Sequence, residues 1–353
     1  MPMLKPEVPE QVFNNREFYF PLGSLPVNSI RQSWLSAVRS CLAKGNLYGR
    51  EQRSDGTYHM LGGSVYHLAM DQASRQTNRN GKAGLDKWYG WAADRSYWRE
   101  LIQELDNDPR NTYSGALDRD VFADKLVDPQ SLRGVTCREI IHQSISMLQA
   151  SGFRIIYSER RMFIQMDFGI GAQGTPFEGT IDLVLAHRSY KPSEVAIGDT
   201  KTSGMWNCFF RGKSPTGQSF KAEQISNYQQ LLHYSWMGSM IGDWDLNDIQ
   251  DLFIHTPVNL TRYVRGAKKG QFRGSPFHWG KPQARAIQNY SEDMVEWLTM
   301  MYNEIYPRMY PSVFGKILCD TCTFRDACLF DKKGTDVPEY LKKHMAEQPH
   351  VRD

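Results

Sequence analysis

Between Phe177 and Ser203 the chain reads FEGTIDLVLAHRSYKPSEVAIGDTKTS, and the acidic residues set into its apolar runs constrain the fold more than any other feature. Ile181, Leu183 and Leu185 alternate with Asp182 and Val184, the period of a strand with two distinct faces. Val195, Ala196 and Ile197 form a second short apolar run that closes on Gly198, Asp199, Thr200 and Lys201. A carboxylate inside an apolar strand is strongly disfavoured unless a cation or a hydrogen-bond donor meets it, so Asp182 needs a partner. Pairing of the two strands would bring Asp182 and Asp199 to one end of a sheet, where their oxygens suit a hard divalent cation such as Mg2+. Lys201 shares the face of Asp199 in an extended strand, and its ammonium could orient a water or offset charge developing on a phosphate. A plain hairpin with charged ends would read the same over this stretch alone, so the rest of the chain has to decide.

The chain has 353 residues, 41% of them apolar and 23% charged, which fits a globular protein of one large domain or two smaller ones. Its formal net charge of +3 does not oppose a polyanionic partner. No stretch approaches the roughly 18 apolar residues of a membrane span, and MPMLKPEVPEQVFNN lacks the apolar run of a signal peptide. The expectation is a cytoplasmic protein with no membrane partner. Six cysteines are too few for a disulfide scaffold of this size, and clustered cysteines in a reducing compartment point to metal.

Helices are expected before and after a compact sheet, which makes the chain α/β. Pro2, Pro6, Pro9, Pro21 and Pro26 leave residues 1–28 as an extended arm. A helix is expected from near Ser29, with Trp34, Val38, Cys41 and Leu42 on one face, which turns Cys41 inward. In YHMLGGSVYHLAMDQ, Gly62 and Gly63 read as a break and Ser64 as a cap. His67 then sits in the first turn of the next helix, as a packed histidine or a ligand. Residues 73–87 read as a polar loop, 89–105 and 135–148 as helices, and 106–131 between them as irregular. Strands are expected at 153–157, 162–168, 179–186, 195–199 and 251–255. Glu159, in the turn between the first two, is a candidate for the acidic site, with a surface ion pair to a neighbouring arginine the favoured reading. AEQISNYQQLLHYSWM reads as one helix with Gln224 and Tyr228 a turn apart, offering an amide and a phenol to a phosphate, a base or a metal-bound water, or forming a polar surface.

Gly212, Lys213 and Ser214 resemble the end of a phosphate-binding loop, but Asn207 stands where the first glycine is required, which excludes an ATPase of that type. From Thr261 to Trp279, Arg262, Arg265, Lys268, Lys269 and Arg273 are interleaved with Tyr263, Phe272, Phe277 and Trp279. Such a run can track a nucleic-acid strand, charges on phosphates and rings under bases, and a solvated hairpin would look the same. Residues 284–310 read as a long amphipathic helix. In CDTCTFRDAC, Cys319, Cys322 and Cys328 stand at x2 and x5 spacing, a strong metal signal that needs one more ligand, and Cys41 is the natural fourth. Zinc would accept four cysteines or three with a histidine, and an iron-sulfur cluster favours four thiolates. Cys137 and Cys208 stand alone and read as packed thiols.

Taken in order, Cys41, Gly63-x3-His67, Gly179-x2-Asp182, Asp199-x-Lys201, Gln224-x3-Tyr228 and Cys319-x2-Cys322-x5-Cys328 form a series spanning nearly the whole chain. That series resembles the RecB-like branch of the PD-(D/E)XK nucleases, specifically its iron-sulfur members, such as the CRISPR-associated exonucleases and the AddB nuclease domain. The resemblance implies a restriction-endonuclease-like α/β core with a helical insertion. It implies that His67, Asp182 and Asp199, with Thr200 in the same set, hold Mg2+ or Mn2+, that Lys201 orients the attacking water, and that Gln224 and Tyr228 are accessory active-site or DNA contacts. It further implies that Cys41, Cys319, Cys322 and Cys328 hold a 4Fe-4S cluster linking the N- and C-terminal segments. Asp199 stands where the family often has Glu, and either residue chelates.

The expected organisation is an N-terminal arm and helix over 1–67, a helical insertion over 68–150, a nuclease core over 151–260, and a basic segment, long helix and cysteine cluster over 261–353. The expected function is metal-dependent DNA exonuclease activity on single strands or duplex ends, in recombination, repair or phage DNA processing and in company with other recombination or replication proteins. The alternative is a non-catalytic DNA-binding or scaffold subunit with a structural iron-sulfur or zinc site.

Overall fold

The computed structural model describes residues 29–40, 45, 58–107, 118–165, 176–202, 204–206 and 218–303. Cys41, Cys208, Cys319, Cys322 and Cys328 lie outside them. The chain divides into two compact units, one of Met1–Gln52, Gln165–Glu178 and Glu292–Asp353, the other of Arg53–Ile164 and Gly179–Ser291.

In the first unit, α1 (Gln32–Ser40) buries Trp34, Leu35, Ala37 and Val38, and the Trp34 indole donates to the Gly45 carbonyl at 2.7 Å. Before it, Ile30 bridges Phe177 in parallel, and Arg31 pairs with Glu178 at 2.7 Å.

In the second unit, α2 (Tyr58–Trp91) is longer than the sequence pattern predicts. Residues 73–87, expected as a loop, are helical with a kink at Asn80–Gly81. Their polarity is absorbed within the helix, because Ser74 and Thr77 donate to the carbonyls of Met70 and Ala73, each at 2.7 Å, while Ala73, Leu85 and Trp88 are buried. The break expected at Gly62–Gly63 is also helix. Gly62 lies flat against the Trp206 indole, where a Cβ would come within 2.6 Å of the ring, so the glycine permits close approach rather than a turn.

Asp94 and Asp118 accept from the Ser96 and Val121 amides and start α3 (Arg95–Asp106) and α4 (Arg119–Val127). The second of these occupies a stretch expected to be irregular and buries Phe122, Ala123 and Leu126. A capping box between Thr136 and Glu139 opens α5 (Cys137–Ala150). These helices share one hydrophobic core with the sheet.

The sheet has five strands in the order β1 (Phe153–Ile164), β2 (Phe177–His187), β3 (Val195–Thr200), β4 (Ile249–His255) and β5 (Phe277–Gly280). β2 and β3 are antiparallel, with Val184 opposite Ile197; β3 and β4 are parallel, with Thr200 opposite His255; β4 and β5 are antiparallel. The parallel pair needs a crossover, which carries α6 (Ala222–Ser226) and α7 (Gln229–Met240).

Three expectations change here. The separate strands at 153–157 and 162–168 give way to the single strand β1. Its buried residues shift phase from Ile155 to Met162 and Ile164, and Glu159 between them takes a left-handed φ of +50° that interrupts the alternation. The single helix through Gln224 and Tyr228 is two helices, because the backbone leaves the helical path at Asn227 and turns to extended at Tyr228, whose amide bonds the Ile225 carbonyl. β5 falls inside the run read as basic and aromatic. Among the described residues, no helix is long and apolar enough to cross a membrane. A long amphipathic helix is present as α8 (Ala284–Asn303).

Candidate active site

The close seat of Gly62 on Trp206 places the next turn of α2, with His67, over β1 and β2. His67 Nδ1 lies 2.6 Å from Glu159 Oε1 and 3.8 Å from Asp182 Oδ1. The left-handed backbone at Glu159 in β1 carries its side chain to this position, and a non-glycine residue at positive φ costs on the order of 1 kcal/mol. One turn further along α2, buried Asp71 accepts from Ser158 at 2.5 Å and pairs with Arg75 at 2.8 Å, which fixes the residue beside Glu159. Asp182 finds the partners its apolar strand demands: Oδ2 accepts from the Thr200 amide at 2.7 Å, and Oδ1 faces the imidazole.

On the neighbouring strand, Lys201 Nζ sits 2.8 Å from Asp199 Oδ2, as residues two apart on one strand face should. Asp199 is wholly buried, and its Oδ1 has no hydrogen-bond partner among the described residues. Lys201 also donates to Gln230 Oε1 at 2.8 Å, Gln230 donates to the Tyr234 hydroxyl at 2.8 Å, and the ammonium stands 5.3 Å from the Tyr228 ring centre. Lys201 is thus held from three sides, with its charge directed at the acidic cluster.

The electrostatics follow from burial and crowding. Burial works against charge on His67, but Glu159 and Asp182, with Asp199 behind them, outweigh it and raise the imidazole to about 10. Burial raises Asp182 to about 6, helped by Glu159 and opposed by His67, the Thr200 amide and Lys201. Burial, then the charge of Asp182, raises Asp199 to about 6. Lys201 is desolvated too, yet Asp199 holds it above its ordinary value. Three carboxylates converge on two cations, and the excess negative charge favours a further cation.

His67, Glu159 and Asp182 offer ligand atoms that all lie within 4.8 Å of one another. An imidazole nitrogen with carboxylate oxygens is a mixed donor set that suits Mn2+ and, with more retained water, Mg2+. The unpartnered Oδ1 of buried Asp199 is a further oxygen that a cation would satisfy.

His67, Asp182, Asp199, Thr200, Lys201 and Tyr228 are therefore brought together, Thr200 through its amide on Asp182 and its hydroxyl 3.3 Å from His255 Nδ1. Gln224 is not. It is exposed, and its amide oxygen accepts from the Lys221 backbone, closing the start of α6. The Gln-x3-Tyr pair that reaches the site is Gln230-x3-Tyr234, a recurrence of the same spacing further along the crossover. Glu159, assigned by sequence to an arginine, pairs with His67 instead. Ile155, Ile156 and Tyr157 before it and Met162, Phe163 and Ile164 after it follow no single period of two, so no sequence signal singled it out. Cys137 is buried at the start of α5, and burial pushes its thiol up and keeps it unreactive. No protein-family model and no curated protein matches the chain.

Proposed function

We propose that the chain is a metal-dependent deoxyribonuclease of the RecB-like PD-(D/E)XK kind. The observation that carries this reading is the convergence of His67, Glu159 and Asp182 beside the Asp199–Lys201 pair, from one helix and three adjacent strands. An ordinary charged hairpin needs no such convergence, since Asp182 could be satisfied by one donor and Asp199 left at the surface.

In this reading His67, Glu159 and Asp182, joined by Asp199, would hold Mn2+ or Mg2+. Bound there, the ion supplies Lewis-acid polarisation of the phosphodiester and a water of lowered pKa. Lys201 keeps its proton at Nζ, because Asp199 stabilises the ammonium. Its contacts to Asp199 and Gln230 fix where that charge lies, so it can orient the attacking oxygen and offset charge on the phosphate without reorganising. Tyr234 locks the Gln230 amide so that its oxygen faces Lys201. His67, held by two carboxylates, would have to be neutral to serve as a metal ligand, so metal binding is expected to weaken as pH falls.

The same reading assigns Cys41, Cys319, Cys322 and Cys328 to a 4Fe-4S cluster on their spacing. Brown colour, thiolate-to-iron absorbance and iron content of anaerobically purified protein test that assignment, and a colourless zinc protein overturns it.

The activity is tested by incubating that protein with end-labelled single- and double-stranded DNA and Mn2+ or Mg2+, beside Lys201→Ala. Cleavage that needs the metal and disappears in the variant is expected. Folded protein without activity would move the reading to a non-catalytic DNA-binding subunit, and equal cleavage by both proteins would place the chemistry elsewhere.

A further inference from the structure

Between Thr261 and Gly280 stand Arg262, Arg265, Lys268, Lys269 and Arg273, with no Asp or Glu among them. The segment is an ordered hairpin. Tyr263 N donates to Gln271 O at 3.0 Å, Gly270 N to Tyr263 O at 2.8 Å, and Arg262 bridges Phe272 in antiparallel register. Gly266 and Gly270 take φ +78° and +82°, which the turn requires.

Buried Asn259 fixes the hairpin's root. Its carbonyl accepts from Arg273 N, its Nδ2 donates to the Gln218 and Ser275 carbonyls, each at 2.7 Å, and its Oδ1 accepts from Gln218 N. A charged loop with a merely solvating role does not need such an anchor.

The position of the root follows from the sheet. β4 runs parallel to β3, and Lys201 N donates to His255 O at 2.8 Å. The chain therefore leaves β4 for the hairpin at the end of the sheet that carries Asp199, Thr200 and Lys201.

The rings in the hairpin are already covered. Arg262 lies 4.6 Å from the Phe272 ring centre, and Arg273 and Lys268 lie 4.7 and 5.9 Å from that of Tyr263. Tyr263 and Phe272 thus hold cations in place and are not open platforms for bases. Arg262, Arg265, Lys268 and Lys269 are exposed, and none of them has an ion-pair partner among the described residues. Exposed, unneutralised cations, two of them, Arg262 and Lys268, held over rings that are thereby closed to bases, match the contacts that hold a phosphate backbone without reading sequence.

We propose that the hairpin from Thr261 to Gly274 is a phosphate-backbone grip for DNA, set at the same end of the sheet as the acidic site. The proposal rests on the deoxyribonuclease reading and assigns that site a substrate-holding surface outside its catalytic groups.

The test uses the full chain and two variants, Arg265→Gln/Lys269→Gln and the fourfold change that adds Arg262→Gln and Lys268→Gln. Arg265 and Lys269 are exposed side chains without a ring contact among the described residues, so the double variant keeps the fold whatever the fourfold one does. Fluorescence anisotropy of labelled single-stranded and duplex DNA is followed against salt concentration, without added metal so that no cleavage occurs. Each lost phosphate contact should flatten the plot of log affinity against log salt by about 0.7 on single strands and about 0.9 on duplex. The double variant is expected to lose up to about two such steps and the fourfold variant up to about four. Stabilisation of the protein by Mn2+ is expected to stay as in the parent. If the parent binds DNA and both variants keep its affinity and slope, the grip is overturned and the nuclease reading stands. If the parent binds neither DNA, both fall together. Equal retention of polyglutamate by the parent, lost in the variants, would overturn the assignment of the surface to DNA.

Discussion

Glu159→Gln separates two roles that the geometry gives this side chain. Glu159 Oε1 is 2.6 Å from His67 Nδ1, so it is either a cation ligand beside His67 or only the ion-pair partner that keeps the imidazole charged. The isosteric amide keeps the left-handed backbone at φ +50° and removes one negative charge from a cluster of three carboxylates. If Glu159 is a ligand, its loss should weaken the metal on the order of tenfold to a hundredfold, at least what is typical for groups that support a metal site. The free metal sets how this appears as stability. At about 100 times the parent dissociation constant, binding stabilises the fold by about 2.7 kcal/mol. After a loss of about thirtyfold in affinity the same metal concentration contributes only about 0.9 kcal/mol. Thermal unfolding with and without Mn2+, at one fixed concentration and pH, measures the difference. If the role is purely that of an ion pair, the amide frees His67 for the metal, and the Mn2+-induced stabilisation is equal to or larger than the parent's. That result refutes the assignment of Glu159 to the metal set and leaves Asp182 and Asp199 as its carboxylates.

Gln224 and Gln230 are expected to behave oppositely. Gln224→Ala removes a helix-start contact and should cost roughly 0.5–1 kcal/mol while leaving cleavage unchanged. Gln230→Ala releases Lys201 Nζ from one of its anchors and should slow cleavage roughly tenfold at saturating substrate, the scale of one charge-assisted hydrogen bond; equal rates for the two variants would remove Gln230 from the site. His233, buried with its Nδ1 3.0 Å from the Tyr290 hydroxyl, is lowered by burial to about 3. The unfolded chain therefore takes up a proton below about pH 6.5 that the folded chain refuses, and stability that is full above that pH falls by about 1.4 kcal/mol for each further unit down to about pH 3. Denaturant titrations at neutral and acidic pH should show a shallower decline for His233→Gln than for the parent, and parallel curves would refute it.

The strands that hold Asp182 and Asp199 were legible because each is a short apolar run buried on both faces, in which a carboxylate is conspicuous. The helices were less legible wherever polar residues satisfied their own hydrogen bonds. Ser74 and Thr77 make residues 73–87 look like a loop, yet their hydroxyls close on carbonyls of the same helix. Gly62 misleads in the same direction, since a glycine needed for contact with an indole is indistinguishable, one residue at a time, from one needed for a turn.

At the site, the lesson lies in the backbone between motifs. Gln224 and Gln230 each precede a tyrosine by four positions, so the spacing alone cannot choose between them. The choice is made at Asn227 and Tyr228, where the backbone leaves the helix: the Tyr228 amide bonds the Ile225 carbonyl, and Tyr228 itself is extended. Once the helix restarts at Gln229, Gln230 and Tyr234 lie one turn apart on a continuous helix, and that helix packs against β3 beside Lys201. In β1 the buried residues are Ile155 before Glu159 and Met162 and Ile164 after it, and the left-handed backbone at Glu159 between them re-aims its side chain. The side chain re-aimed is an acid, and the group it meets is the histidine of an independent motif.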